Sequence, residues 1–267
     1  MTAQRGEELD EEPCEDLDEY LRRGGKLTSP ANAPARYRAE LLRLMAIFVD
    51  SEMAGASGFA DCINFAPGLS ERRVAARIVY EKFGHAAKIL ALMDEFGADA
   101  ARYVGAHRWN ERLARNTDLG TRRAGDDMRL NVFHYPIEGW VDAVTMNVLM
   151  GRATVIQLED WTASSYQPLA DATGEILPVE ARHADYGETG LRNALATEAD
   201  RARAQASVDY WLPRVAASFG SAGSASIERY RAFGLRQRAN EELLSIRKAD
   251  IAARLEGVGL AVSDAQR

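Results

Sequence analysis

Two short stretches carry residue types that can hold metal ions or move protons. In Glu180-Ala181-Arg182-His183 a carboxylate stands three positions before an imidazole, and Glu81-Lys82-Phe83-Gly84-His85 comes close to the same pattern. On a helix, residues three apart project from one face, one above the other. Two such helices facing each other, with a further acid from each of two more, build a carboxylate-bridged dimetal centre inside a four-helix bundle. The stretch at 180–183 is complete. In the other, Lys82 occupies the position three before His85, and the acid lies one residue further back.

Four long amphipathic segments must position these residues. The first, roughly 34–56, has the apolar seam Leu41, Met45 and Phe48, and the next seam position is Glu52. An acid continuing a core stripe is costly unless paired or metal-bound, or else it lies at a fraying end and reaches solvent. The second, about 71–96, has the seam Ala75, Ile78, Lys82, His85 and Ile89, with Glu81 on its flank beside Arg77 and Lys88. In the third, about 137–160, the seam is Trp140, Val144, Asn147, Gly151, Val155 and Leu158. A glycine inside a long helix costs about 1 kcal/mol relative to alanine, so Gly151 marks a close approach or space for something. Asp142 and Glu159 lie off this seam and read as surface acids. The fourth, about 176–195, has Pro178 near its start and the seam Ile176, Glu180, His183, Gly187 and Gly190.

A shorter helical segment near 99–115 and two more at 198–218 and 224–256 complete the chain, with no strand-like alternation and no repeat. The predicted fold class is all-α. His107 and His134 have no acid at helical spacing and read as surface or packing histidines. Cys62 reads as a buried filler, because nothing near it in sequence would depress its pKa.

Composition narrows the function classes. The net charge of -7 is carried by residues 1–20, which sum to -8, so the rest of the chain is almost neutral. That excludes the broad basic face of a nucleic-acid binder. No apolar run reaches the roughly 20 residues of a bilayer span, and two cysteines give no disulfide framework, so a cytoplasmic protein is expected. Residues 1–30 read as an acidic flexible tail, and 31–267 as a single helical domain.

The order of a seam acid, a histidine and then a complete ExxH pair resembles one family: the phenylacetic acid catabolic proteins, typified by the catalytic subunit of bacterial phenylacetyl-CoA epoxidase. The resemblance covers about 35–260 and rests on Ser51-Glu52, Gly84-His85, Tyr135-Pro136 with Trp140, and Glu180-x-x-His183. Trp211-Leu212-Pro213, Phe219-Gly220 and Asn240-Glu241-Glu242 extend it. It implies a ferritin-like di-iron bundle with additional C-terminal helices, in which Glu52, His85, Glu180 and His183 match metal-ligand positions. Lys82 stands where the helix-two acid is expected, and Gly151 where the helix-three acid is.

Charge decides how many ions such a set accepts. Glu52 and Glu180 supply -2 and Lys82 adds +1, so two divalent ions would leave +3 in a low-dielectric core, one would leave +1, and none would leave -1. The resemblance therefore implies an oxygen-dependent, monooxygenase-type oxidoreductase with one Fe rather than two, Mn being an alternative. Lys82 and Asn147 would be its catalytic residues, and the space at Gly151 would help admit an acyl-CoA substrate. It would form a homo- or hetero-oligomer with a related ferritin-like subunit, with a reductase as a further partner. The competing reading is a metal-free, non-catalytic subunit in which Lys82 replaces the metal charge. A helix-two ligand moved to Glu81 is a third arrangement, disfavoured by its flank position.

Overall fold

The computed structural model describes residues 17–120, 122 and 124–262. Among these, the elements in chain order are α1 (Leu17–Arg22), α2 (Ala35–Cys62), α3 (Leu69–Asp94), α4 (Ala100–Gly105), α5 (Trp140–Trp161), α6 (Gln167–Asn193), α7 (Glu198–Ala217), α8 (Ala225–Ala232) and α9 (Asn240–Glu256). No strand occurs among the described residues, only an isolated bridge between Leu27 and Tyr166. α2 packs along α3 and α5 along α6, and α3 against α6 joins the two pairs into a bundle. α7 and α9 cover the outer side of α5. This is the expected all-α, ferritin-like bundle with additional C-terminal helices. None of the described helices is long and apolar enough to cross a membrane.

The seams fall inward as their spacing requires. Leu41 and Met45 are fully buried, and α2 continues past them to Cys62, so Glu52 lies in the helix interior and is only 3% exposed. The fraying-end alternative for this acid is thereby removed. α6 starts earlier than its sequence reading. Pro168 sits in its first turn, where a missing N–H costs nothing, and Pro178 lies inside the helix. Pro178 leaves the Gly174 carbonyl without its helical donor. The buried residues Thr173 and Ile176 before it and Glu180 and His183 after it carry the seam straight through that point, so packing outweighs the lost hydrogen bond.

Other boundaries also moved. The stretch 224–256 is two helices, broken where Gly234 adopts φ +65°. The 99–115 segment keeps only the six residues of α4, because buried Trp109 and partly buried Arg112, whose Nη2 donates to the Ala54 carbonyl at 2.9 Å, tie the rest down as loop. Of the expected acidic tail, residues 1–16 lie outside the described residues. From Leu17 onward, Leu21 and Leu27 are buried, and Lys26 Nζ donates to the carbonyls of Ala163 (2.9 Å) and Ser164 (2.6 Å).

Asp142, read as a surface acid, is buried at the start of α5. Its carboxylate accepts from Arg115 Nη1 (2.8 Å), Ser207 Oγ (2.6 Å), Trp211 Nε1 (2.8 Å) and the Glu138 N–H (2.8 Å), which fastens α7 to α5. Glu159 is exposed, as expected. His107 stacks edge-on against Trp109 and His134 is buried in the loop before α5, so both are packing residues. Cys62 is a buried free thiol, its pKa pushed up to about 12, chiefly by burial.

The tightest seam in the bundle lies between α5 and α6. A Cβ on Gly151 would stand 3.1 Å from the Ala184 Cβ and 3.2 Å from its Cα. One on Gly187 would stand 2.8 Å from Asn147 Nδ2 and 3.0 Å from the Val148 backbone nitrogen. Gly151 therefore marks close approach. The expectation that it opens space for a substrate is corrected: Ala184 fills that place.

Candidate functional site

Three helices bring five of the singled-out residues together at the bundle centre. α2 supplies Glu52, α3 supplies Lys82 and His85 one turn apart, and α6 supplies Glu180 and His183. Each is less than a tenth exposed, and His183 is fully buried. Lys82 is the hub. Its Nζ donates to Glu52 Oε1 at 2.9 Å and to both Glu180 oxygens at 3.0 and 3.1 Å. His85 Nδ1 lies 2.9 Å from Glu180 Oε1 and 3.3 Å from Glu52 Oε2. The imidazoles of His85 and His183 stack with ring centroids 5.9 Å apart.

A sixth residue joins from the flank of α3. Glu81 reaches inward, and its Oε2 accepts from His183 Nε2 at 2.7 Å. Its Oε1 accepts from Arg182 Nη2 at 2.9 Å and from Arg77 Nε at 2.9 Å. The sequence held the signal, since Arg77 and Glu81 are four apart and Arg182 adjoins His183. Reading Glu81 as a flank residue still hid how far a half-buried carboxylate can turn toward a buried imidazole. His183 Nδ1, left over, lies 3.3 Å from Glu180 Oε1 without a hydrogen bond.

Asn147 lies one layer away. Its Nδ2 donates to the His183 carbonyl at 2.8 Å, so it clamps α6 to α5 and holds the turn that carries His183. The space next to Glu52, bounded by Phe48, Phe133, Met150 and Trp161, amounts to about 40 Å³. A water takes about 30 Å³ of liquid volume, whereas pockets for small molecules run to roughly 300–1,000 Å³.

Electrostatics follow from this packing. Burial opposes the charged forms of Lys82 and His85, but the two carboxylates outweigh it in both. The Lys82 pKa is raised by Glu180 and Glu52, and His85 is raised to about 9 by its hydrogen bonds to Glu180 and Glu52. Burial likewise opposes ionisation of Glu180, yet Lys82 and the two histidines hold its carboxyl well below the usual range. Glu81 is lowered to about 2: burial works against this, and the hydrogen bonds from His183, Arg77 and Arg182 prevail. With Lys82 and His85 both cationic at neutral pH, the charges of Glu52 and Glu180 are balanced from within.

A pH dependence results. His85 holds its proton more tightly folded (about 9) than at its ordinary value of 6.5, so its contribution to stability is fully present below about 6.5. That contribution fades as pH rises and is lost through about 9. Denaturant unfolding of wild type and His85→Gln between pH 6 and 10 should show this slope in the wild type alone. Equal slopes would refute the assignment.

Glu52, His85 and Glu180 each offer a ligand atom, and these lie within 4.8 Å of one another, a grouping that could hold a metal ion. The two-ion centre of a ferritin-like protein does not fit this donor set. Lys82 Nζ occupies the position between the two carboxylates, His183 Nε2 is engaged by Glu81, and Gly151 against Ala184 leaves no place for a helix-three acid.

The family model described as phenylacetic acid catabolic protein matches residues 19–267. No curated protein matches the chain. A match over nearly the whole length places it: the chain belongs to the phenylacetic acid catabolic family.

Proposed function

We propose, with membership of that family as the premise, that this chain is a structural subunit of an oxygenase-type assembly in phenylacetic acid catabolism. It would pack on a related, oxygen-activating subunit and would not carry the oxidation itself. In this reading residues 31–267 form one ferritin-like domain, and 17–30 are its packed lead-in.

One observation carries the reading: the Lys82 ammonium donates to Glu52 and to both oxygens of Glu180 from the point where a bridging carboxylate would be needed. A cation there cancels the charge that would attract a metal ion and uses the oxygens that would bind it. The 40 Å³ beside Glu52 agrees, being too small for an aromatic acyl group. Lys82, His85, Glu52, Glu180 and His183 are then a charge-balanced tie between α2, α3 and α6, with Asn147 positioning His183.

A second reading keeps monooxygenase-type chemistry. It has one Fe, or Mn, on Glu52, His85 and Glu180, with His183 adjoining, a reductase as electron source and an acyl-CoA as substrate. The 4.8 Å grouping of ligand atoms favours it, but it requires Lys82 to leave the position it holds.

Metal analysis of purified protein separates the two. Under the proposed function the wild type contains no stoichiometric Fe or Mn, and His85→Ala and His183→Ala are indistinguishable from it. Lys82→Glu should then take up about one divalent ion per chain, because it removes one positive charge and adds a ligand. Stoichiometric iron in the wild type that disappears in His85→Ala would establish the second reading instead.

A further inference from the structure

A pocket of about 330 Å³ opens between the first half of α2, the C-terminal end of α5, the loop 128–131 and the corner that joins α7 to α8. That volume suits a compound of about one ring. None of the residues of the Lys82 cluster lines it. Its lining is uneven in charge: Arg43, Arg129 and Arg236 border it, and no aspartate or glutamate does among the described residues.

One of the three guanidinium groups is already engaged. Arg129 donates to Asp127 Oδ2 from Nε at 2.9 Å and from Nη2 at 2.7 Å, and its two Nη atoms also reach the carbonyls of Trp109 and Arg108. Arg43 is exposed and forms no hydrogen bond or ion pair among the described residues. Arg236 is 7% exposed; its Nε donates to Asp160 Oδ2 at 3.2 Å and its Nη1 to Asn240 Oδ1 at 3.4 Å, but its Nη2 is buried without a partner. Burial lowers the Arg236 pKa, and Asp160 only partly opposes this. Trp161, also in the lining, has an indole Nε1 that is a second buried donor without an acceptor. Native proteins rarely leave such donors unmet, because each has lost its water. Two of them on residues around one pocket that lacks acids point to an acceptor from outside the chain, and beside arginine an oxyanion is the strongest one. Ser224, the N-cap of α8, lies in the lining as well, so the positive end of that helix borders the pocket.

The rest of the wall selects among oxyanions. Leu44, Ile47, Trp161, Phe219 and Ile227 make it apolar. Inorganic phosphate would leave those surfaces against water, whereas a carboxylate with a compact apolar body covers them. We propose that this pocket binds a small organic carboxylate, its oxygens held by Arg236 and Arg43 and its body packed against Ile47, Trp161 and Phe219. This stands apart from the polar cluster, so it holds under either reading of that cluster.

Isothermal titration of the full chain with benzoate tests it. About one benzoate per chain should bind, and benzamide, which has the same shape without the charge, should bind at least about tenfold more weakly. Arg43→Gln should weaken benzoate about tenfold or more while the thermal midpoint of the free protein stays where it was, since Arg43 is exposed and unpaired. Arg236→Lys, which keeps a cation for Asp160 and deletes Nη2, should weaken it as well. Arg72→Gln, a charge change on α3 outside the pocket, should leave binding unchanged. No saturable benzoate binding would overturn the proposal. So would equal binding of benzamide, benzoate binding indifferent to Arg43→Gln, or inorganic phosphate binding at least as tightly as benzoate.

Discussion

Lys82→Met is expected to destabilise the protein by about 3–5 kcal/mol, because it removes one partner of a buried ionic cluster and keeps the others. Methionine matches the stem in length, so the packing of α3 on α2 and α6 survives while the ammonium is lost. Glu52 and Glu180 are then buried, ionised and short of the cation that donates to both. In a chain of this size, such a loss lowers the thermal midpoint by about 10 °C or more. The comparison that isolates the cause is Lys82→Met combined with Glu52→Gln and Glu180→Gln. Neutralising both acids should recover much of the loss, since an uncharged core often costs no more than a complete ion cluster. An unchanged midpoint for Lys82→Met alone would mean that the lysine does not compensate these carboxylates.

Gly151→Glu, the substitution that would restore a helix-three acid, should be destabilising by about 3 kcal/mol or more. A Cβ there meets Ala184 Cβ at 3.1 Å and its Cα at 3.2 Å, and backbone cannot swing aside as a flexible side chain can. A carboxylate added at a dry helix contact also needs a partner. Gly151→Ala separates these effects. Its crowding is offset by about 1 kcal/mol of helix propensity, so its net cost should be much smaller. Ala184→Gly, introduced with Gly151→Glu, should return part of the lost stability by moving the obstructing Cβ. Urea unfolding of the four proteins checks the series, and a Gly151→Glu variant as stable as wild type would show that α5 and α6 are free to separate.

These two expectations differ in how early they could be formed. Lys82 in mid-seam is visible from spacing alone, and a buried lysine without a carboxylate partner is too costly to keep, so its pairing with Glu52 and Glu180 could be anticipated. The fate of Gly151 could not. A glycine in a helix signals close approach and open space equally well, and only the position of Ala184 on the neighbouring helix distinguishes them. Asp142 was missed for a related reason. Its partners Arg115, Ser207 and Trp211 come from other parts of the chain, so helical periodicity placed it off the seam of α5 and could say nothing of α7.

Some decisions belong to the sequence itself. Apolar periodicity dictated four long helices, their inward faces and the polar residues those faces bury, because burying an amphipathic stripe is the dominant return on folding and needs no knowledge of the partner. Lysine at 82 and glycine at 151 were likewise written there as departures from the ligand pattern.

The tertiary structure decided everything that depends on distance between helices. It set the three bonds from Lys82 Nζ, turned Glu81 onto His183, filled the Gly151 site with Ala184 and, through the His85 contacts, balanced the cluster's charge. The physical reason is range. Helix formation and amphipathicity are set within a few residues along the chain, whereas charge compensation and close packing vary steeply over an ångström between groups about thirty to a hundred residues apart.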